Sequence, residues 1–134
     1  MSGSFIDSNV LLYLGANDPF KARRARSLLE QGDGVINVQV VKEFTNVCLR
    51  KLQRPWDEID DLLGLVRSLA RVLPLTVSAC DDGLRLARRH RLSIWDAMIV
   101  ASALEAEADV LWSEDMQTGL VIRDRLRISN PFAH

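Results

Sequence analysis

Several things are scarce in this chain of 134 residues, and each scarcity closes a class. There are two cysteines, Cys48 and Cys80, and two histidines, His90 and His134. None of them stands at the close spacing of zinc ligands, so no Cys/His zinc centre is indicated. Two widely separated cysteines in helix-forming sequence read as reduced thiols, which sets the expectation of a cytoplasmic protein. No apolar run approaches the ~20 residues needed to span a bilayer. The opening Met1-Ser2-Gly3-Ser4-Phe5-Ile6-Asp7 has neither a basic leader nor a long apolar stretch, so no signal peptide and no membrane association are expected. An excess of one charge is also lacking: 17 Lys+Arg face 18 Asp+Glu. Contact with nucleic acid therefore has to come from local patches rather than from a bulk basic field. Aromatic residues are sparse and do not repeat, so no platform for stacking single-stranded bases is expected.

What is present belongs to an ordinary folded chain. The composition is 48% hydrophobic and 26% charged, which opposes disorder, and the length suits one domain. Short apolar segments alternate with helical patterns. Ser4-Phe5-Ile6 reads as a strand, followed by a helical run from Asn9 to Leu14 that Gly15 stops. Pro19 suits the first turn of a helix through Glu30, and Val35-Ile36-Asn37 is a second strand. Helical spacing then runs from Val38 to about Leu52 and from Trp56 to about Arg71. Val72 to Thr76 is extended, with Pro74 suiting a sheet edge. Ser78 to His90 is amphipathic. Ser93 to Glu107 is apolar nearly all round and reads as a buried central helix. Asp109 to Trp112 and Leu126 to Ile128 are the remaining strands. Strands alternating with helices, none joined by a two-residue hairpin, predict an α/β fold with a mainly parallel sheet. Ligands of such sheets bind beyond the carboxyl ends of the strands, where the strand order reverses.

Four acidic residues stand where folding alone would be served by apolar or neutral ones. Asp7 follows the first strand, and Glu43 interrupts the Val40-Val41-Lys42-Glu43-Phe44 stretch. Asp96 opens the buried helix, and Asp115 follows Val110-Leu111-Trp112. Each has a simpler reading: Asp7 as a helix cap, Glu43 on a solvated face, Asp96 in a capping box with Ser93, Glu114 and Asp115 as turn residues. Together they point elsewhere. In a parallel sheet Asp7 and Asp115 leave by the same edge, near the start of the helix that carries Asp96. Carboxylates gathered there raise one another's pKa unless a cation neutralises them. All-oxygen ligands suit Mg²⁺ or Mn²⁺, and such ions activate water and clamp phosphodiester oxygens.

The stretches around these acids carry a resemblance. Phe5-Ile6-Asp7-Ser8-Asn9-Val10-Leu11-Leu12-Tyr13 resembles the first motif of PIN-domain ribonucleases. Leu92-Ser93-Ile94-Trp95-Asp96-Ala97-Met98-Ile99-Val100-Ala101-Ser102-Ala103-Leu104 resembles their third acidic motif. Val110 to Gln117 is similar to the fourth, and Asn130-Pro131-Phe132 to a frequent C-terminal ending. Within the family the likeness is to VapC-type toxins of bacterial toxin–antitoxin pairs. It runs from end to end, implying a single domain over 1–134 with a PIN-like three-layer fold, a central sheet flanked by helices. The resemblance further implies that Asp7, Glu43, Asp96 and Asp115 form a Mg²⁺ or Mn²⁺ site for cleaving RNA. Asn9 then corresponds to the polar partner of the first Asp. Ser113 corresponds to a hydroxyl that orients a carboxylate or a metal-bound water. Where the family usually has Asp-Phe near the fourth motif, this chain has Met116-Gln117-Thr118-Gly119, so Glu114 stands as a second candidate for the role of Asp115. A homodimer and a small inhibitory antitoxin whose tail fills the groove are implied as partners. For these, the apolar faces of the Trp56–Leu73 stretch and of Leu11, Leu12 and Tyr13 are candidates, with core packing as the alternative. Arg23, Arg24 and Arg26, or Arg85, Arg88, Arg89 and Arg91, are candidates for RNA phosphates or for solvated helix faces.

Two other α/β classes fit worse. A phospho-acceptor signalling module needs paired acids after the first strand and a Lys after the last, yet Ser8-Asn9 follows Asp7 and no Lys lies beyond residue 51. A dehalogenase-type phosphatase needs Asp at the place of Asn9. The remaining alternative is a catalytically silent PIN-like protein that holds RNA or a partner.

Overall fold

Apolar segments too short for a helix become strands, and the longer periodic stretches between them become helices. In the computed structural model the described residues are 3–133, so Met1 and Ser2 of the leader reading, and His134, lie outside them. The strands are β1 (Ser4–Ile6), β2 (Gly34–Asn37), β3 (Arg71–Leu73), β4 (Val110–Trp112), β5 (Val121–Ile122) and β6 (Leu126–Ser129). The helices are α1 (Ser8–Leu11), which a 3-10 turn extends over Leu12–Gly15, α2 (Pro19–Glu30), α3 (Val38–Arg50), α4 (Trp56–Leu69), α5 (Val77–His90) and α6 (Ile94–Glu105). Most helices start on a capping side chain. Asp18, Asn37, Thr76 and Ser93 each accept a hydrogen bond from a first-turn N–H of α2, α3, α5 and α6, satisfying donors a helix leaves unpaired.

The strand order is β3-β2-β1-β4-β6-β5. Strand β1 pairs in parallel with β2 on one side and β4 on the other, β2 with β3, and β4 with β6; β5 alone is antiparallel. Phe5, Ile6, Ile36, Leu111 and Ile128 are fully buried, as expected of a parallel sheet covered by helices on both faces. The expected α/β architecture is therefore present. Its order reverses between β1 and β4, and both strands end there: Ile6 leads into Asp7, and Trp112 into Ser113.

Two expectations need correction. The sequence reading has no strand at Val121–Ile122, yet β5 forms there and joins β6 in a hairpin through three residues, Arg123 to Arg125. Its turn places Arg123 and Asp124 at φ 55°, with the Arg125 N–H donating to the Ile122 carbonyl at 3.1 Å. Turns with two positive φ values normally announce themselves as Asn-Gly; Arg-Asp gives no such sign. Here the turn is held from outside, because Arg123 donates to both carboxylate oxygens of Asp82 on α5 at 2.8 and 2.6 Å. Helix α6 is buried from Ala97 to Leu104, but its first turn is not: Ile94 is 54% and Trp95 69% exposed. By contrast the α4 face of Ile59, Leu63 and Val66, together with Leu11, packs into the core. That accounts for these apolar faces without a partner.

Helices α5 and α6 pack closely because Gly83 has no side chain. A Cβ there would meet the Met98 Sδ at 2.8 Å and the Ala97 carbonyl oxygen and Met98 Cα at 3.3 Å. The sulfur can swing away, but the backbone of α6 cannot. Gly83→Val is therefore expected to cost about 2 kcal/mol by overpacking, read as a lowered thermal midpoint. Cys48 and Cys80 are free thiols, and no helix among the described residues is long and apolar enough to cross a membrane.

Candidate active site

Asp7 is the N-cap of α1 and ends β1. Its Oδ1 accepts from the Ser8 N–H at 2.8 Å, so the capping reading is correct as far as it goes. The other oxygen faces β4: Oδ2 accepts from the Ser113 hydroxyl at 3.1 Å and from the Asn9 amide at 3.4 Å. Asn9 also donates to the Ser113 Oγ at 3.2 Å and accepts from the Glu114 N–H at 3.1 Å. Asn9 and Ser113 thus stitch the ends of β1 and β4 together at the point where the strand order reverses.

Asp7 is 4% exposed. Burial, reinforced by the nearby charges of Glu43 and Asp96, pushes its carboxyl up to about 7 against the lowering effect of the Ser8 and Ser113 hydrogen bonds. A half-buried Asp96 carboxyl is also raised, first by burial and then by Glu43 and Asp115, while Ser93 opposes the shift. The same Ser93 Oγ accepts from the Asp96 N–H at 3.1 Å, one half of the capping box. The charges of Glu43 and Asp96 thus reach Asp7, and those of Glu43 and Asp115 reach Asp96. The four acids do not converge to liganding distance. Among the described residues no three Asp, Glu, His or Cys side chains are close enough to hold one ion as they stand. The donor set is nonetheless all oxygen, which suits a hard divalent cation rather than zinc.

Two residues here were not anticipated. Ser8 donates from its hydroxyl to the Glu43 Oε2 at 3.0 Å, and Gln39 donates from its amide to the Glu43 Oε1 at 3.0 Å. Glu43 is consequently not a freely solvated helical glutamate but a carboxylate held at both oxygens. The sequence carried one sign of this, since Gln39 lies four residues before Glu43 on the same helix face.

Glu114 takes a different direction from Asp115. Lys21 Nζ pairs with its Oε2 at 2.7 Å, and the Tyr13 hydroxyl donates to its Oε1 at 2.6 Å. Burial works to raise the Glu114 carboxyl, but these two donors outweigh it and hold it below its ordinary value. The ammonium of Lys21 also lies over the rings of Tyr13 and Phe132, at 4.6 and 5.2 Å from their centroids. Both oxygens of Glu114 are thus engaged on the α2 side, whereas Asp115 is exposed.

The candidate basic residues divide similarly. Arg24 donates to the Pro131 carbonyl at 3.0 Å and packs over Trp112, fastening the C-terminal segment. Arg26 pairs with Glu30 and Arg85 with Asp82. A cleft of about 520 Å³ opens beside Glu43 and Trp95, walled by Val41, Lys42, Asn46 and Leu49.

The family model for the PIN domain matches residues 4–118. The chain belongs to the PIN-domain family. Solved structures place this PIN domain beside several toxin structures. VapC20 from Mycobacterium tuberculosis, a sarcin–ricin-loop-cleaving toxin, is 16% identical with a TM-score of 0.69, covering 84% of this chain and 90% of that one. A toxin–antitoxin complex from Klebsiella pneumoniae is 18% identical, TM-score 0.70, covering 97% and 98%. A DNA-bound VapBC complex from Salmonella typhimurium is 20% identical, TM-score 0.72, covering 98% and 99%. At these identities the likeness demonstrates a shared fold. No curated protein matches the chain significantly.

Proposed function

We propose that this PIN domain is a metal-dependent endoribonuclease that cleaves RNA phosphodiesters and acts as the toxin of a type II toxin–antitoxin pair. The observation that carries the reading is the burial of Asp7 at the β1/β4 switch point, held there by Ser8, Asn9 and Ser113 with Glu43 and Asp96 near enough for their charges to raise it. Folding gains nothing from burying a carboxylate among like charges. Such an arrangement suits a cation, and strained titrations of this kind cluster at functional sites.

Asp7, Glu43, Asp96 and Asp115 are the residues that would hold Mg²⁺ or Mn²⁺. When bound, the ion would supply compensating charge, Lewis acidity toward phosphodiester oxygens and a bound water more acidic than bulk water. The chain's own contribution is orientation. Ser113 and Asn9 fix the Asp7 Oδ2, the Ser8 N–H fixes Oδ1, and the Ser8 hydroxyl turns Glu43. The cleft beside Trp95 reaches one of the acids, Glu43, and gives the RNA strand a surface next to it, with Arg88, Arg89 and Arg91 at the end of α5 available for its phosphates. A small antitoxin occluding this groove, a homodimer and a cytoplasmic setting belong to the same proposal. The toxin and toxin–antitoxin structures among the fold neighbours support it.

The test is cleavage of a total-RNA pool with Mn²⁺ and with chelator, cut sites mapped by sequencing of 5′ ends. Discrete cuts that chelator abolishes are expected. RNA retained without cleavage at millimolar Mn²⁺ would sink the nuclease reading and favour the catalytically silent alternative.

A further inference from the structure

Gln39 is 7% exposed, yet neither hydrogen of its amide is wasted. The single Nε2 donates at 3.0 Å to the Glu43 Oε1 and at 3.0 Å to the Trp95 carbonyl oxygen. Its own Oε1 is buried and has no hydrogen-bond partner among the described residues. The orientation of the amide is unambiguous, because turning it over would set Oε1 against two acceptors. Leaving a buried acceptor unmade costs stability. That cost is retained where an uncharged side chain must offer two donors to two different elements.

Those elements matter. Glu43 belongs to α3, and Trp95 immediately precedes Asp96 in the first turn of α6. On its other oxygen Glu43 is held by Ser8, the neighbour of Asp7. The contacts form one continuous chain, running from Asp7 through Ser8 to Glu43, then through Gln39 to Trp95 and Asp96. Glu43 lies mid-helix, at neither a strand end nor a helix cap, so side-chain contacts alone hold its carboxylate. Without Gln39 its two long torsions would be restrained by the Ser8 hydroxyl alone.

We infer that Gln39 is a positioning residue, acting through Glu43 to set that carboxylate against the first turn of α6 and so to complete the cation site. The inference rests on the nuclease reading above. Residues that orient metal ligands typically change metal affinity or activity ~10–100-fold when removed. Gln39→Met fills the same space without donors. It is expected to weaken Mn²⁺ binding and lower kcat by about tenfold or more, with KM for RNA unchanged.

The experiment is a double-mutant cycle with Gln39→Met, Glu43→Gln and both together, read by Mn²⁺ calorimetry, steady-state cleavage and thermal melting of the full chain. If Gln39 acts through Glu43, the double variant matches Glu43→Gln in Mn²⁺ affinity and kcat. Losses that add fully in the double variant, or a Gln39→Met protein that melts lower but binds Mn²⁺ as wild type does, overturn the inference and leave Gln39 as packing between α3 and α6. Should Gln39→Met not fold, Gln39→Asn keeps the amide but shortens its reach, and the same comparison applies. Wild-type protein that neither binds Mn²⁺ nor cuts RNA overturns the nuclease reading and this inference together. A wild type that cuts RNA while the cycle is additive overturns the inference alone.

Discussion

Asp7→Asn is expected to abolish metal-dependent RNA cleavage, by a thousandfold or more, and yet to raise the stability of the metal-free protein at pH 8. The first effect follows from removing a charge at the centre of the coupled acids. The second is a matter of linkage. Asp7 is pushed up to about 7 in the fold against an ordinary 3.8, so between these limits the folded state binds the proton that the unfolded state has released. Stability contributed by the protonated carboxyl is fully present below pH 3.8 and is lost as pH rises through 7. The loss amounts to up to ~4 kcal/mol, at about 1.4 kcal/mol per pH unit. Asn avoids it, less ~1 kcal/mol for the weakened acceptance from Ser113 and Asn9. Chemical denaturation at pH 5 and pH 8 without metal checks this: the variant should gain on wild type between the two. Added Mn²⁺ should then stabilise wild type and leave Asp7→Asn unmoved. A variant less stable than wild type at both pH values would show that the carboxylate is satisfied by its hydrogen bonds alone.

Asp115→Asn and Glu114→Gln are expected to part company, although the residues are adjacent. The charge of Asp115 raises the Asp96 carboxyl, and its removal should lower cleavage by about a hundredfold or more while leaving the melting temperature nearly unchanged, because the side chain is exposed and makes no structural hydrogen bond among the described residues. Glu114 has both oxygens engaged by Lys21 and Tyr13. Glu114→Gln should keep cleavage within a few-fold of wild type, and its loss should appear as a modest drop in thermal stability. Kinetics and melting of the two variants in parallel decide which acid serves the reaction; equal loss of activity in both would restore Glu114 as a candidate.

Much of the fold could be read from the chain because local preference and global arrangement agree. Ser4–Ile6, Val35–Asn37 and Val110–Trp112 are apolar and short, and Asp7, Asn37 and Ser93 mark where helices begin. The β5–β6 hairpin was not legible, since Arg123 and Asp124 occupy left-handed backbone only with Asp82 holding the turn from a distant helix. The exposure of Ile94 and Trp95 was hidden for a related reason: hydrophobicity alone does not say which turn of a helix reaches past its neighbours. Asp7, Glu43, Asp96 and Asp115 could be singled out as acids in apolar surroundings. The direction of Glu114 depends on Tyr13 and Lys21, and the parts of Ser8 and Gln39 on contacts between α1, α3 and α6, of which the chain shows only the four-residue step from Gln39 to Glu43.

The order of the sheet has one more consequence. Strand β1 precedes its neighbour β4 by about a hundred residues, and β4 brings Ser113 and Asp115 with it. A nascent or truncated chain that stops short of Val110 holds Asp7 beside an open sheet edge, with neither the hydroxyl that orients it nor the last carboxylate. The Asp7 site is therefore assembled only once β4 has joined β1, however early Asp7 itself is made.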